Sequence, residues 1–302
     1  MPAPATPDLA VEKFLGSLPQ DLGTVLAGEF EDLAEISARW NPNGQISVAV
    51  VLPDGSLYGM NEEVSRISAS AVKPLWTAAA LQGAGVEAVR PLAFDVLVMS
   101  DNSAGGRMID LAGGVDAVNA WTWEVAELDD TRLEAWRFED PGRVADDFRP
   151  DNPMGNRTTV ADLARFYARL YRAELLGPDE SSALMGWLRD TSHTLISPGD
   201  LDGALLDRLP PEVAASALHK AGWLKPNCCR ADYRQMIDAG LVVLPGGGWF
   251  ALAIVTSRGY YYDLSIQWVS LAGCRIYAVL AGDHELACDR DQDGIHDPEI
   301  WN

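Results

Sequence analysis

Lysine is nearly absent from this chain of 302 residues: Lys13, Lys73, Lys220 and Lys225 are the only four, and arginine supplies the rest of 23 positive charges. Against 44 Asp and Glu, that leaves a net charge of −21. Such an excess repels phosphate backbones and anionic headgroups, which argues against nucleic acid or an anionic membrane as a partner. It reads as a solvated acidic surface and suits a calcium-rich or saline setting. No apolar run approaches the roughly 18 residues that mark a membrane span. Pro2–Asp8 has neither the basic nor the apolar region of a secretory leader, so no signal peptide is visible there.

Cysteine and histidine are scarce too, at four each. Cys228, Cys229, Cys274 and Cys288 fit no zinc-ligand spacing. Three full pairings are open, and adjacent cysteines make awkward partners. A bridge from Cys228 or Cys229 towards the C-terminal region is the preferred expectation, with free buried thiols as the alternative. His193, His284 and His296 have no partner set, and His219 is read as flanking a strand rather than as a base.

What is present suffices for a folded core. Hydrophobic residues make up 48% of the chain, enough for one large domain or two small ones. Three- and four-residue apolar steps predict helix over Val11–Trp40. Gln45–Leu52 and Ser56–Met60, joined by Pro53-Asp-Gly55, predict a hairpin. Ser70–Ile109 is helical in pattern, with breaks expected near Gly83–Gly85 and Pro91, and Val115–Val125 resumes it. Leu128–Pro153 reads as loop, Thr159–Leu175 as an amphipathic helix capped by Thr158 or Thr159, and Glu180–Leu188 as another helix. Ala217–Leu224, Gln235–Leu244 and Trp249–Ser257 read as strands, and Tyr262–Leu280 as a closing helix. The order predicts an α+β fold, with one sheet shared by the terminal portions and a helical lobe from the middle.

Because lysine is so rare, one inside an apolar or glycine-flanked motif carries weight. Ser70-Ala-Val-Lys73 at a helix start puts hydroxyl and ammonium on one face, and Pro74 suits a first turn. A lysine desolvated by apolar walls can be neutral enough to take the serine proton. Ser100-Asp-Asn102 ends the apolar run Phe94–Met99 and offers a second hydroxyl and an amide. His219-Lys220-Ala-Gly222 lies on an expected strand, where the lysine can bind a carboxylate and the glycine lets a substrate approach the edge.

In this order the three motifs match the S-x-x-K, S-D-N and K-T-G set, and the chain resembles a serine β-lactamase-like, penicillin-binding protein of class A type over roughly Leu33–Leu280. Gly113-Gly114, Thr158-Thr159 and Thr131-Arg-Leu-Glu-Ala-Trp136, which is similar to the entry of the family's omega loop, add to the likeness. The resemblance implies the β-lactamase/transpeptidase fold and a serine hydrolase working through an acyl-enzyme without a catalytic cofactor. Ser70 would be the nucleophile, Lys73 its base and Ser100 the proton shuttle, assisted by Lys220. The backbone N–H groups of Ser70 and Trp223 would form the oxyanion hole, with Asn102, Ala221 and Gly222 lining the substrate. Substrate would be a carboxylate-bearing lactam, amide or ester, from a small molecule or a peptidoglycan-like polymer. The chain departs from the family in three places. Arg137 stands where the deacylating glutamate belongs, with Glu134 and Glu139 near but out of position; Ala221 replaces the threonine; and only 30 positions separate Ser70 from Ser100, about half the family's spacing. These changes point to slow turnover or an altered substrate, and the alternative is a catalytically silent penicillin- or peptidoglycan-binding module.

One further motif is separate. Asp289, Asp291 and Asp293 alternate, Gly294 permits a turn, Ile295 offers a carbonyl and Asp297 follows, a set of hard oxygen ligands for structural Ca²⁺. The acid expected at the twelfth position is Ile300, so the segment resembles a thrombospondin type 3 or dockerin calcium loop more than an EF-hand. The expected organisation is a hydrolase domain over 1–282 and an acidic tail over 283–302. The expected location is periplasmic or secreted.

Overall fold

The computed structural model describes residues 7–42, 44–134, 156–191, 204–224, 235–257 and 262–288. The alternating apolar strands assemble a five-stranded sheet, wholly antiparallel, in the order β2-β1-β7-β6-β5. Its members are β1 (Gln45–Val51), β2 (Leu57–Met60), β5 (Leu218–Leu224), β6 (Gln235–Val243) and β7 (Trp249–Ser257). The hairpin pairs Val48 with Met60 and Val51 with Leu57, while β7 pairs Ala49 with Ala253 and joins the two ends of the chain. A two-stranded sheet, β3 (Arg66–Ile67) with β4 (Arg157–Thr158), sits apart. The α+β expectation, with the sheet drawn from both chain termini, holds.

Period-two alternation gives the large sheet two apolar faces. Val48, Val50, Leu252 and Ile254 face α2 (Leu22–Trp40) and α10 (Tyr262–Ala281). Trp268 Nε1 donates to Leu33 O at 3.0 Å and Arg275 pairs with Glu29 at 2.9 Å, which ties those helices together. Ala49, Val51, Ala239 and Ala253 face α7 (Val160–Tyr171), whose stripe Leu163, Phe166, Tyr167 and Leu170 is wholly buried. Beyond α7 lies the helical lobe: α3 (Lys73–Ala84), α4 (Val86–Ala93), α5 (Asn102–Leu111), α6 (Val115–Glu124) and α8 (Pro178–Thr191). Among the described residues no helix is long and apolar enough to cross a membrane.

Three expectations need correction. The helix over Val11–Trp40 is two, α1 (Pro7–Ser17) and α2, parted at Leu18-Pro19 because proline offers no amide to continue the ladder. Pro91 does not break α4: only one helical bond is lost, at the exposed Glu87 carbonyl, and the helix gives way later to a π turn at Phe94–Val98. Cys274 on α10 pairs with Cys288, so neither is left for Cys228 or Cys229, which lie outside the described residues. A short helix α9 (Pro211–Ala214) and the strands β3 and β4 have no periodic signal and were not expected.

Candidate active site

Ser70 lies in a 3-10 turn, Ala69–Val72, that runs straight into α3, where Lys73 N donates to Ser70 O. Ala69 holds φ +45, a left-handed backbone that a residue with a Cβ adopts at a cost of about 1–3 kcal/mol. Ser70 itself is half-buried. One turn on, Lys73 is 1% exposed, and its ammonium donates to Ser100 O at 2.5 Å, to Ser100 Oγ at 3.2 Å and to Asn102 Oδ1 at 3.0 Å. Burial, then the neighbouring Lys220 charge, lowers its pKa to about 7, and Asp101 opposes that shift. None of the three hydrogen bonds goes to Ser70.

The Ser100 corner is built by strain and capping. The π turn at Phe94–Val98 delivers the chain to Ser100 at φ +54, and Asp101 caps α5 by accepting from Ala104 N at 2.6 Å. Asp101 N also bonds Asp95 O at 2.8 Å, so the left-handed residue is held from both sides. The strain turns the Ser100 carbonyl onto the Lys73 ammonium, while Asn102 stays exposed towards solvent.

The third wall is β5, the edge strand. Leu218 belongs to the core on the helical-lobe side and Ala221 to the core on the opposite side, so alternation turns Lys220 and Gly222 towards the turn that carries Ser70. A Cβ on Gly222 would lie 2.6 Å from Ser70 N and 2.5 Å from Ala71 N, so only glycine admits this approach. Lys220 is 2% exposed and donates to Ala221 O at 3.0 Å. The methyl of Ala221 points into the core, which leaves only its backbone to meet a substrate, and Trp223 is half-buried at the strand's end. Ser70, Lys73, Ser100, Asn102, Lys220 and Gly222 therefore converge at one strand edge.

Near the site the neck of the segment 135–155 is closed by paired backbone bonds between Arg132 and Arg157, at 2.8 and 2.9 Å. Beneath them lies Asp162, a residue the motif reading missed. It is buried, accepts from Thr131 Oγ1 at 2.8 Å, and stands 3.6 Å from Arg165, while its own N–H bonds the capping Thr159 at 3.0 Å. Desolvation lifts its carboxyl to about 6. The signal that could have found it is the capping pattern Thr159-x-x-Asp162. Trp136, Arg137 and Glu139 fall outside the described residues, as do Asp289, Asp291, Asp293, Ile295 and Asp297. Among the described residues no group of three or more His, Cys, Asp or Glu is placed to hold a metal ion.

A helix-flanked antiparallel sheet whose edge strand faces a serine–lysine turn defines the fold class of the serine β-lactamases and penicillin-binding proteins. A model of the β-lactamase enzyme family matches residues 86–280, and the chain belongs to that family. The match begins after Ser70 and Lys73. None of the curated proteins matches in sequence. Among solved structures, a class A β-lactamase representative from Bacteroides cellulosilyticus superposes with a TM-score of 0.68 at 16% identity, covering 92% of this chain and 100% of its own. A variant of the last common ancestor of Gram-negative class A β-lactamases gives 0.64 at 19% identity, over 85% and 100%. A point mutant of PBP-A, an acyl-enzyme complex with penicillin G, gives 0.62 at 19%, over 84% and 96%. At such identities the likeness establishes the fold.

Proposed function

We propose that the chain is a serine hydrolase that opens a carboxylate-bearing lactam, amide or ester through an acyl-enzyme. The observation that carries this reading is Lys73: a wholly buried amine with pKa lowered to about 7, one turn from the half-buried Ser70 and bonded to a second serine, Ser100. Near neutral pH such an amine is a competent base. Ser70 Oγ attacks the carbonyl carbon as its proton passes to Lys73, and the backbone N–H groups of Ser70 and Trp223 take the developing oxyanion. The carbon–nitrogen or carbon–oxygen bond then breaks, and the leaving atom receives the proton through Ser100. Lys220 supplies positive charge for the substrate carboxylate, and Asn102 lies at the open side for its amide. Water releases the acyl group, restoring Ser70.

With arginine at 137 in place of the family's glutamate, that last step is slow, and the acyl-enzyme accumulates. The test is a fluorescent penicillin followed over time. Label that forms and persists is the expected result; rapid release at tens per second, well above the median enzyme near 10 s⁻¹, contradicts slow deacylation. No label at all leaves the silent binding module.

The Cys274–Cys288 bridge is in keeping with an exported protein, since such bonds persist in oxidising compartments. On sequence grounds, Asp289–Asp297 is proposed to take structural Ca²⁺.

A further inference from the structure

His219 is the residue immediately before Lys220 on β5, and its side chain points to the opposite face of the sheet. It is 1% exposed, and its Nδ1 lies within hydrogen-bond distance of both carboxyl oxygens of Asp238 on β6, at 3.1 and 3.2 Å, with Asp238 0% exposed. β6 makes room for it: a Cβ on Gly240, the register partner of His219, would lie 2.7 Å from His219 Cβ and 2.3 Å from Leu218 O. Asp238 is fixed in turn by Leu205, whose N–H donates to Oδ2 at 3.0 Å. Leu205 is pressed onto α10 at Gly273, where a Cβ would lie 2.7 Å from the Leu205 carbonyl. From the outer side, Thr191 of α8 donates through Oγ1 to the His219 carbonyl at 2.9 Å.

Stability alone does not call for this arrangement. A buried polar pair can be replaced by apolar residues of similar size with little loss, and sometimes with a gain. Here it also leaves His219 Nε2 buried without a hydrogen-bond partner among the described residues. What the pair does supply is position. Among the described residues β5 is an edge strand with β6 as its strand neighbour, yet its other side carries Lys220, the Trp223 amide and Gly222, which packs so closely on Ser70 that a Cβ would lie 2.6 Å from Ser70 N. Backbone ladder bonds hold register, but an edge strand can still tilt or lift away from the strand beside it.

We propose that the His219–Asp238 pair, anchored through Leu205 to α10, is a positioning device that clamps the β5 edge against the nucleophile turn. The proposal rests on the acyl-transfer reading for its effect on rate, but not for its effect on the strand. Residue 219 touches no substrate and acts through Lys220 and the strand backbone.

The test compares wild type, the double variant His219→Leu with Asp238→Asn, and the single variant His219→Asn. The double variant removes the pair without stranding a buried charge, and asparagine at 219 keeps a donor nitrogen at the δ position. Melting curves establish that each is folded. Labelling rate with a fluorescent penicillin and amide exchange of residues 218–224, against 249–257 as an internal reference, are then measured. The double variant is expected to label about 10- to 100-fold more slowly, the order of loss that an ångström-scale misplacement causes. Its β5 amides should exchange faster while those of β7 do not change, and His219→Asn should restore both readouts. Labelling of the double variant at the wild-type rate overturns the proposal, as does unchanged exchange across β5. If wild type itself takes no label, the acyl-transfer reading fails and exchange alone decides the clamp.

Discussion

Lys73 is the residue on which the proposed chemistry turns, and its surroundings make distinct claims. Its amine is lowered because burial penalises the ammonium and Lys220 repels it. Acylation should therefore rise with pH through a midpoint near 7, as the neutral amine becomes available. Lys220→Ala removes the repelling charge, so that midpoint should move upward even as the rate falls; a midpoint that stays or drops contradicts the electrostatic account. Lys73→Arg keeps a cation that never gives up its proton, and acylation should fall by about 10²–10⁴ if the amine is a general base. Gly222 makes a separate claim, on shape. Gly222→Ala must push the backbone amides of Ser70 and Ala71, and labelling should be lost with a lowered melting temperature. Retained labelling would mean that β5 can back away from Ser70.

At the scale of elements, the neck beneath the segment 135–155 holds a costly group. A carboxyl held at about 6 instead of 3.8 binds its proton more tightly in the folded than in the unfolded state. Stability therefore falls as pH rises from about 4 to about 6, by about 3 kcal/mol in all, and stays lowered above that window. Asp162→Asn keeps an acceptor for Thr131 and abolishes the cost. The variant should gain on wild type in melting temperature between pH 4 and pH 7, by several degrees; equal pH profiles would show that Asp162 carries no such penalty. Thr159 as the cap of α7 was legible, because its position ahead of an apolar stripe is a local signal. The burial of Asp162 was not, since it comes from Thr131 and Thr158, which the sequence places up to 31 residues away. β3 and β4 are two residues each, too short for any periodicity to register.

For the molecule as a whole, the α+β layout was legible from helix and strand spacings, which also put Ser70 and Lys73 on one face; that Ser100 and Lys220 join them was implied only by the resemblance of the three motifs to the family's set. The approach of Gly222 to Ser70 N and the clamp behind β5 depend on how distant elements pack, which no local pattern encodes. The same holds for Cys274 and Cys288: their pairing follows from the end of α10 meeting the chain just beyond it, while spacing left three arrangements open. The acidic sequence Asp289–Asp297 makes a whole-molecule prediction of its own. Millimolar Ca²⁺ should raise the melting temperature relative to EDTA, with Mg²⁺ doing so less, at an affinity of roughly 10⁻⁴–10⁻³ M. Asp291→Ala should abolish the rise, and a calcium-independent transition in both proteins would leave only an acidic tail.

The central claim is that Ser70 becomes acylated, and locating the adduct tests it most directly. Wild type and Ser70→Ala would each be incubated with benzylpenicillin, then measured by intact-mass and peptide mass spectrometry. The account predicts one penicilloyl adduct on the wild-type peptide that contains Ser70, persisting after excess penicillin is removed, and none on the variant. An adduct on Ser70→Ala, or on a wild-type peptide that lacks Ser70, would contradict it.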